Sequence, residues 1–265
     1  MRSAIIVGAQ KLYLGHAQAQ AFARALVERV DGMGPIAFEV GVCPSLVNLA
    51  AVGAVVRGSK VALGAQNLHH GALGAHTGQV AAPELVEVGA TMVIVGHSEL
   101  RAEQRETNEI VRDKVALCLD HGLAPILCIG ESREDREAGR SGEVVARDLE
   151  VALAEVTGDH PVERLIVAYE PIWAIKRGRD DTTTRAATPD DIDPIHALIR
   201  ARLTARLGDR AEAVRVLYGG SVNKDNAGGY LELPTVDGLL VGSASVDLEQ
   251  LAGILTLARG LSAAR

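Results

Sequence analysis

Aromatic residues are scarce in this chain: two Phe, four Tyr and one Trp make up 3% of its 265 residues. Recognition surfaces built from stacked rings, such as those that hold single-stranded nucleic acid, have little material here. Positive charge is also in deficit. With 27 Lys and Arg against 34 Asp and Glu the formal charge is -7 and the pI is near 5.6, which argues against the basic stripe a nucleic-acid partner would need. Cysteine is limited to Cys43, Cys118 and Cys128, an odd number with no CxxC pair, each in an apolar neighbourhood. They read as structural thiols in a reducing compartment rather than as disulfides or metal ligands. No apolar run reaches the roughly 18 residues of a membrane helix. No basic region, apolar stretch and cleavage site precede the first strand, so the reading is a soluble, cytoplasmic protein. Low-complexity segments and linkers are lacking too.

What is present is aliphatic. The chain is 48% apolar, mainly Ala, Val, Leu and Ile, a composition suited to a parallel sheet buried on both faces by helices. Apolar runs of strand length recur eight times, over residues 4–8, 36–42, 60–66, 92–96, 124–130, 165–170, 215–219 and 238–242. Helical periodicity follows them, most clearly over 17–30, 107–120, 142–156, 189–207 and 246–258. Thr188 before Pro189 has the form of an N-cap followed by the proline favoured at the first helical position. Eight strand-helix units in 265 residues, about 33 residues each, predict an α/β fold: a closed parallel (β/α)8 barrel forming a single domain over residues 1–265.

Such barrels keep their chemistry at the C-terminal ends of the strands, and several strand ends here carry suitable groups. The sixth run ends at Glu170 and turns through Pro171, Ile172 and Trp173 into a polar loop from Lys176 to Thr184. That loop is longer than a plain connection of about two to six residues and is predicted to be a lid, with Pro171, Trp173, Lys176 and Gly178 among its residues. Glu170 taken alone has a second reading as a strand-end acid paired with an arginine, which the proline turn and long loop beside it disfavour. The fourth run leads to His97, Ser98 and Glu99. An imidazole at a helix start is favoured in its neutral form and can donate a hydrogen bond to a carbonyl oxygen. Glu99 is then either a carboxylate that fixes its neighbours or one half of a salt bridge. Gly219, Gly220 and Ser221 close the seventh run, and Gly242 and Ser243 the eighth. Those are the loops through which barrels hold phosphate, and glycine lets backbone approach an anion closely. Lys11, just past the first run, is placed to offset phosphate or enolate charge. The tandem His69-His70 has no acidic or thiol partners at ligand spacing and is read as loop, with no metal site.

Six stretches in order, residues 74–78 (GAHTG), 96–99 (GHSE), 127–131 (LCIGE), 168–175 (AYEPIWAI), 218–222 (YGGSV) and 237–242 (DGLLVG), make the chain resemble the triosephosphate isomerase family over essentially its whole length. The resemblance implies a TIM barrel that interconverts glyceraldehyde 3-phosphate and dihydroxyacetone phosphate without a cofactor. It further implies that Glu170 moves the proton, His97 polarises the carbonyl and Lys11 stabilises the enediolate. A homodimer is implied as well, in which the loop around His69 to Gly78 plugs into the partner.

The departures sit around the substrate. Ala9-Gln10-Lys11 stands where the family has Asn-x-Lys, so one amide donor is missing, a loss that can cost roughly a hundredfold in rate. Gln10 should face away from the side that Ala9 and Lys11 share. The lid from Lys176 to Arg185, with Arg177 and Arg179 in it, is longer and more charged than the family's. Gly242-Ser243 replaces two glycines, and Leu100 replaces an arginine. Two alternatives therefore stand beside the triose reading: an isomerase of a longer, tetrulose phosphate, and a barrel that binds phosphometabolites without catalysis.

Overall fold

The computed structural model describes residues 2–175 and 184–262; the predicted lid residues Lys176, Arg177, Gly178 and Arg179 lie outside them. Parallel strands β1 (Ala4–Ala9), β2 (Phe38–Cys43), β3 (Val61–Ala65), β4 (Met92–Val95), β5 (Ala124–Ile129), β6 (Ile166–Tyr169), β7 (Arg215–Tyr218) and β8 (Gly238–Val241) close into a barrel in sequence order. The ring is completed where β1 pairs with β8. Helices α1 (His16–Gly32), α2 (Leu49–Val56), α3 (Ala82–Glu87), α4 (Ser98–Glu103), α5 (Asn108–Asp120), α6 (Arg133–Glu137), α7 (Ser141–Ala152), α8 (Pro189–Leu207), α9 (Ala227–Leu231) and α10 (Leu248–Ser262) lie between and after them. Several strands stop one or more residues short of their predicted ends, and those residues are the ones that turn the backbone into the mouth.

Because side chains alternate along a strand, each strand feeds two cores. Ile5, Val7, Ala9, Ile94, Ile126, Cys128, Ile166, Ala168, Leu217 and Leu240 fill the barrel. Their sequence neighbours Ile6, Val93, Val95, Leu127, Val167, Val216 and Leu239 pack outward under the helices. Full burial of a side chain such as Ile126 contributes roughly 1.5–3 kcal/mol. The three thiols are free and buried; burial pushes Cys43 up to about 12 and Cys118 higher still, which leaves them packed and unreactive.

The start of α8 is as predicted. Thr188 Oγ1 accepts from the Asp191 amide at 3.3 Å, and the Asp191 carboxylate accepts from the Thr188 amide at 2.8 Å, a reciprocal capping box. Among the described residues no helix is long and apolar enough to cross a membrane.

Candidate active site

Strand parity explains how three distant residues meet. Ile166 and Ala168 point into the barrel, so Glu170, two residues further along, also turns inward, while Tyr169 packs outward. Glu170 is 2% exposed. Lys11 continues the inward parity of Val7 and Ala9. Its φ of 48° lies in the left-handed region, which costs a non-glycine residue energy and needs support. Gln66 supplies some of it by donating from Nε2 to the Lys11 carbonyl at 3.0 Å. His97 breaks the parity rule: Met92 and Ile94 face inward, so an unbroken strand would turn residue 97 outward. Gly96, with φ 73°, turns the chain in a conformation other residues rarely adopt, and the imidazole enters the mouth.

His97 is also the N-cap of α4, and its Nδ1 accepts the Glu99 amide proton at 3.2 Å. In that hydrogen bond Nδ1 is the acceptor, which leaves Nε2 as the nitrogen that faces the cavity as a donor. That Nε2 lies 3.4 Å from Glu170 Oε1. The other oxygen, Oε2, is buried without a hydrogen-bond partner among the described residues. Lys11 Nζ donates to Glu99 Oε1 at 2.6 Å. The Glu99 carboxylate is thus the salt-bridge partner of Lys11, and it is the Glu99 backbone amide that donates to His97. Beneath Glu170 lies Cys128, kept protonated first by burial and then by the charge of Glu170.

These groups line a cavity of about 390 Å³ together with Ala9, Gly219, Gly220, Ser221, Gly242 and Ser243. All predicted catalytic and phosphate-binding positions thus share one space. Gln10 is buried and lines neither this cavity nor its neighbour, as strand alternation predicts. One detail of the predicted cradle differs. Ser221 spends both its amide and its hydroxyl on the Ala174 carbonyl, at 3.3 and 2.6 Å. Phosphate can use the Ser221 amide only after that pair opens.

The predicted hinge residues have a second anchor that sequence reasoning missed. Glu131 is 0% exposed, and its carboxylate accepts from Trp173 Nε1 at 2.8 Å and from Tyr169 Oη at 3.0 and 3.1 Å. The Ile172 amide donates to the Glu131 carbonyl at 3.1 Å. Burial and then the charge of Glu131 push the Tyr169 phenol well above its ordinary value, so it remains a donor. Arg136 stacks 3.9 Å over the Trp173 ring and donates to Asp191 at 2.7 Å. Arg185, one of the predicted lid arginines, turns to Asp191 at 2.9 Å instead of the cavity. A signal for Glu131 was available in the quoted stretch 127–131, but a lone acid after a strand does not reveal its partners. His69 and His70 sit in the β3–α3 loop, where His69 also meets His76, with ring centres 4.6 and 4.1 Å apart respectively.

A buried carboxylate beside an imidazole, with a lysine and glycine-rich strand ends around them, can take a proton from a carbon next to a carbonyl while holding an anionic group nearby. Known proteins resemble this chain in sequence and fold. A family profile described as triosephosphate isomerase matches residues 4–258. Triosephosphate isomerase of Chloroflexus aurantiacus is 43% identical over 93% of this chain and 95% of its own. That of Chlorobium phaeobacteroides is 39% identical over 97% and 100%. The crystal structure of triosephosphate isomerase from Bartonella henselae superimposes with a TM-score of 0.85 at 32% identity, covering 97% of this chain and 99% of that one. With the barrel and nearly the full length in agreement, the chain belongs to the triosephosphate isomerase family.

Proposed function

We propose that this chain interconverts glyceraldehyde 3-phosphate and dihydroxyacetone phosphate, with Glu170 as base, His97 as electrophile and Lys11 as electrostatic stabiliser. Family membership supports the reaction, and one observation carries the residue roles: the Glu170 carboxylate is buried, has an oxygen without a hydrogen-bond partner among the described residues, and lies 3.4 Å from His97 Nε2 on the wall of the shared cavity. The substrate binds across the mouth with its phosphate against Gly219–Ser221 and Gly242–Ser243. Glu170 takes a proton from one of the two carbons beyond the phosphate-bearing one. The electron pair released moves into the new carbon–carbon double bond, and the carbonyl oxygen becomes an enediolate oxygen that His97 Nε2–H and Lys11 Nζ stabilise. Returning the proton to the adjacent carbon completes the isomerisation. Closing the site around phosphate requires Ser221 to leave Ala174, which couples binding to the residues just past Trp173.

The test is triose interconversion by the purified protein and by Glu170→Gln. A fall in kcat of at least about a hundredfold, with an unchanged circular dichroism spectrum, is the expected outcome for loss of a general base. A wild-type protein that binds triose phosphate without turning it over would support the non-catalytic reading instead.

We also propose a cytoplasmic homodimer. Three buried free thiols suit a reducing compartment. Leu12 and Leu46, 88% and 53% exposed, border a second, largely apolar-walled cavity of about 520 Å³, and nearby surface residues Val47 and Leu73 are 81% and 65% exposed. Leu73 stands on the exposed 71–79 stretch of the β3–α3 loop, and a second copy's loop is the apolar projection that this cavity fits.

A further inference from the structure

Among the described residues, the two cavities at the barrel mouth are walled in common by three, Ala9, Lys11 and His97. Their positions give the catalytic cavity a direction. One side is built from the ends of β7 and β8, with Gly219, Gly220, Gly242 and Ser243. The opposite side opens toward β2, β3 and β4, where the second cavity is lined by Pro44, Ala65, Gln66 and Ile94. Lys11, His97 and Glu170 stand between. A substrate whose phosphate rests against β7 and β8 therefore points its far reacting carbon at the seam.

At that seam Ala9 contributes only a methyl group. Among the described residues no amide side chain lines both cavities at the seam. Gln10 lines neither cavity; Gln66 Nε2 is committed to the carbonyls of Lys11 and Cys43 at 3.0 and 2.9 Å; Asn67 Oδ1 accepts from Lys114 Nζ at 2.7 Å. Of the three described residues that bound the seam, Ala9 thus has the smallest side chain.

We infer that Ala9 sets the specificity of this site, and that the site isomerises four-carbon ketose phosphates as well as trioses by receiving a hydroxymethyl group in the seam between Ala9, Lys11 and His97. This rests on the isomerase reading above, and the seam lies on the boundary with the outer cavity that the proposed dimer would fill. The geometry also selects the isomer. Phosphate and reacting carbons keep their spacing only if the extra carbon hangs from the far reacting carbon. The substrate is then a four-carbon ketose phosphorylated on the carbon next to its carbonyl. Glu170 removes the C3 proton; the C–H electron pair forms the C2–C3 double bond and the C2 carbonyl becomes an oxyanion. Return of the proton to C2 leaves a carbonyl at C3, with the C3 hydroxyl proton passed to the C2 oxygen. The product is the isomeric ketose 4-phosphate, and no oxidant, reductant or leaving group is involved.

The experiment follows both reactions by phosphorus NMR, in the wild-type protein and in Ala9→Val, which narrows the seam without adding a hydrogen-bond donor. The expected result is wild-type kcat/KM for the four-carbon ketose 1-phosphate within about tenfold of that for triose phosphate. In Ala9→Val the ratio should shift about tenfold or more toward the triose, the scale of steric discrimination for one or two methyl groups. Fast triose turnover with no four-carbon turnover in the wild type overturns the inference and leaves the isomerase reading intact. Equal losses on both substrates in Ala9→Val overturn the role of Ala9. Absence of turnover on either substrate by the wild type defeats the isomerase reading itself, and the inference with it. If Ala9→Val fails to fold, the wild-type ratio alone decides the substrate range.

Discussion

At the scale of single residues, the site depends on carboxylates whose surroundings give them different work. Glu170 keeps a buried oxygen without a partner among the described residues, and in that state it has somewhere to put a proton. Glu131, equally buried, has its oxygens occupied by Tyr169 and Trp173 and holds the turn that follows Glu170. Glu99 is half exposed and neutralises Lys11. Trp173→Phe removes the Nε1–H that Glu131 Oε1 accepts at 2.8 Å and leaves a buried charge short of a donor. The expected cost is about 1–3 kcal/mol, read as a lowered urea midpoint by circular dichroism. A midpoint equal to the wild type would mean that this hydrogen bond adds nothing to stability.

At the scale of elements, strand ends set the geometry through backbone packing as much as through side chains. Gly130 follows β5 and continues its inward parity, directly beside the chain at Glu170. A Cβ built there would stand 1.9 Å from the Glu170 carbonyl oxygen, a contact that only backbone movement could relieve. Gly130→Ala should therefore displace the Glu170 backbone and lower kcat at least tenfold, since misplacement of a catalytic group by about 1 Å can cost on the order of a hundredfold. Unchanged kinetics in a folded variant would show that the β5 and β6 ends adjust independently. Gly96 works by a different route, through its φ of 73°, and the register of β4 against β5, with Val95 opposite Leu127, fixes where that turn begins.

At the scale of the whole molecule, α8 is tied to the barrel through a buried histidine. His196 is 0% exposed. Its Nδ1 donates to the Thr235 carbonyl at 3.2 Å, and its ring meets the edge of Tyr169 at 5.8 Å. Burial lowers its pKa from 6.5 to about 4, with Arg200 acting in the same direction and the Thr235 carbonyl and Asp193 against it. The unfolded chain therefore takes up this proton first as the pH falls. The contribution to stability is complete above the ordinary imidazole pKa and is lost progressively as pH drops toward about 4, by up to about 3 kcal/mol. Urea unfolding at pH 7 and pH 4.5 should show a steeper loss in the wild type than in His196→Phe; parallel losses would remove His196 from the account. The proposed dimer is checked at the same scale by sedimentation. Leu12→Lys and Leu73→Lys place charges on its apolar faces and should shift the protein toward monomer, whereas sedimentation as a monomer by the wild type would end the dimer proposal.

The linear sequence by itself determined the barrel, because eight aliphatic runs separated by helical periodicity admit few other closed arrangements, and alternation within each run decides which residues face inward. The same alternation was enough to place Ala9, Lys11 and Glu170 on one side and Gln10 on the other. His97 was legible as a strand-end imidazole, but its entry into the mouth depends on the backbone angle at Gly96. The tertiary structure alone decided the partners. Glu131 meets Tyr169 and Trp173 across 38 and 42 residues, Lys11 meets Glu99 across 88, and Ser221 turns to Ala174 across 47. Contacts of that range leave no periodic mark in a sequence, since they arise only when the closing of the barrel brings its strand ends together.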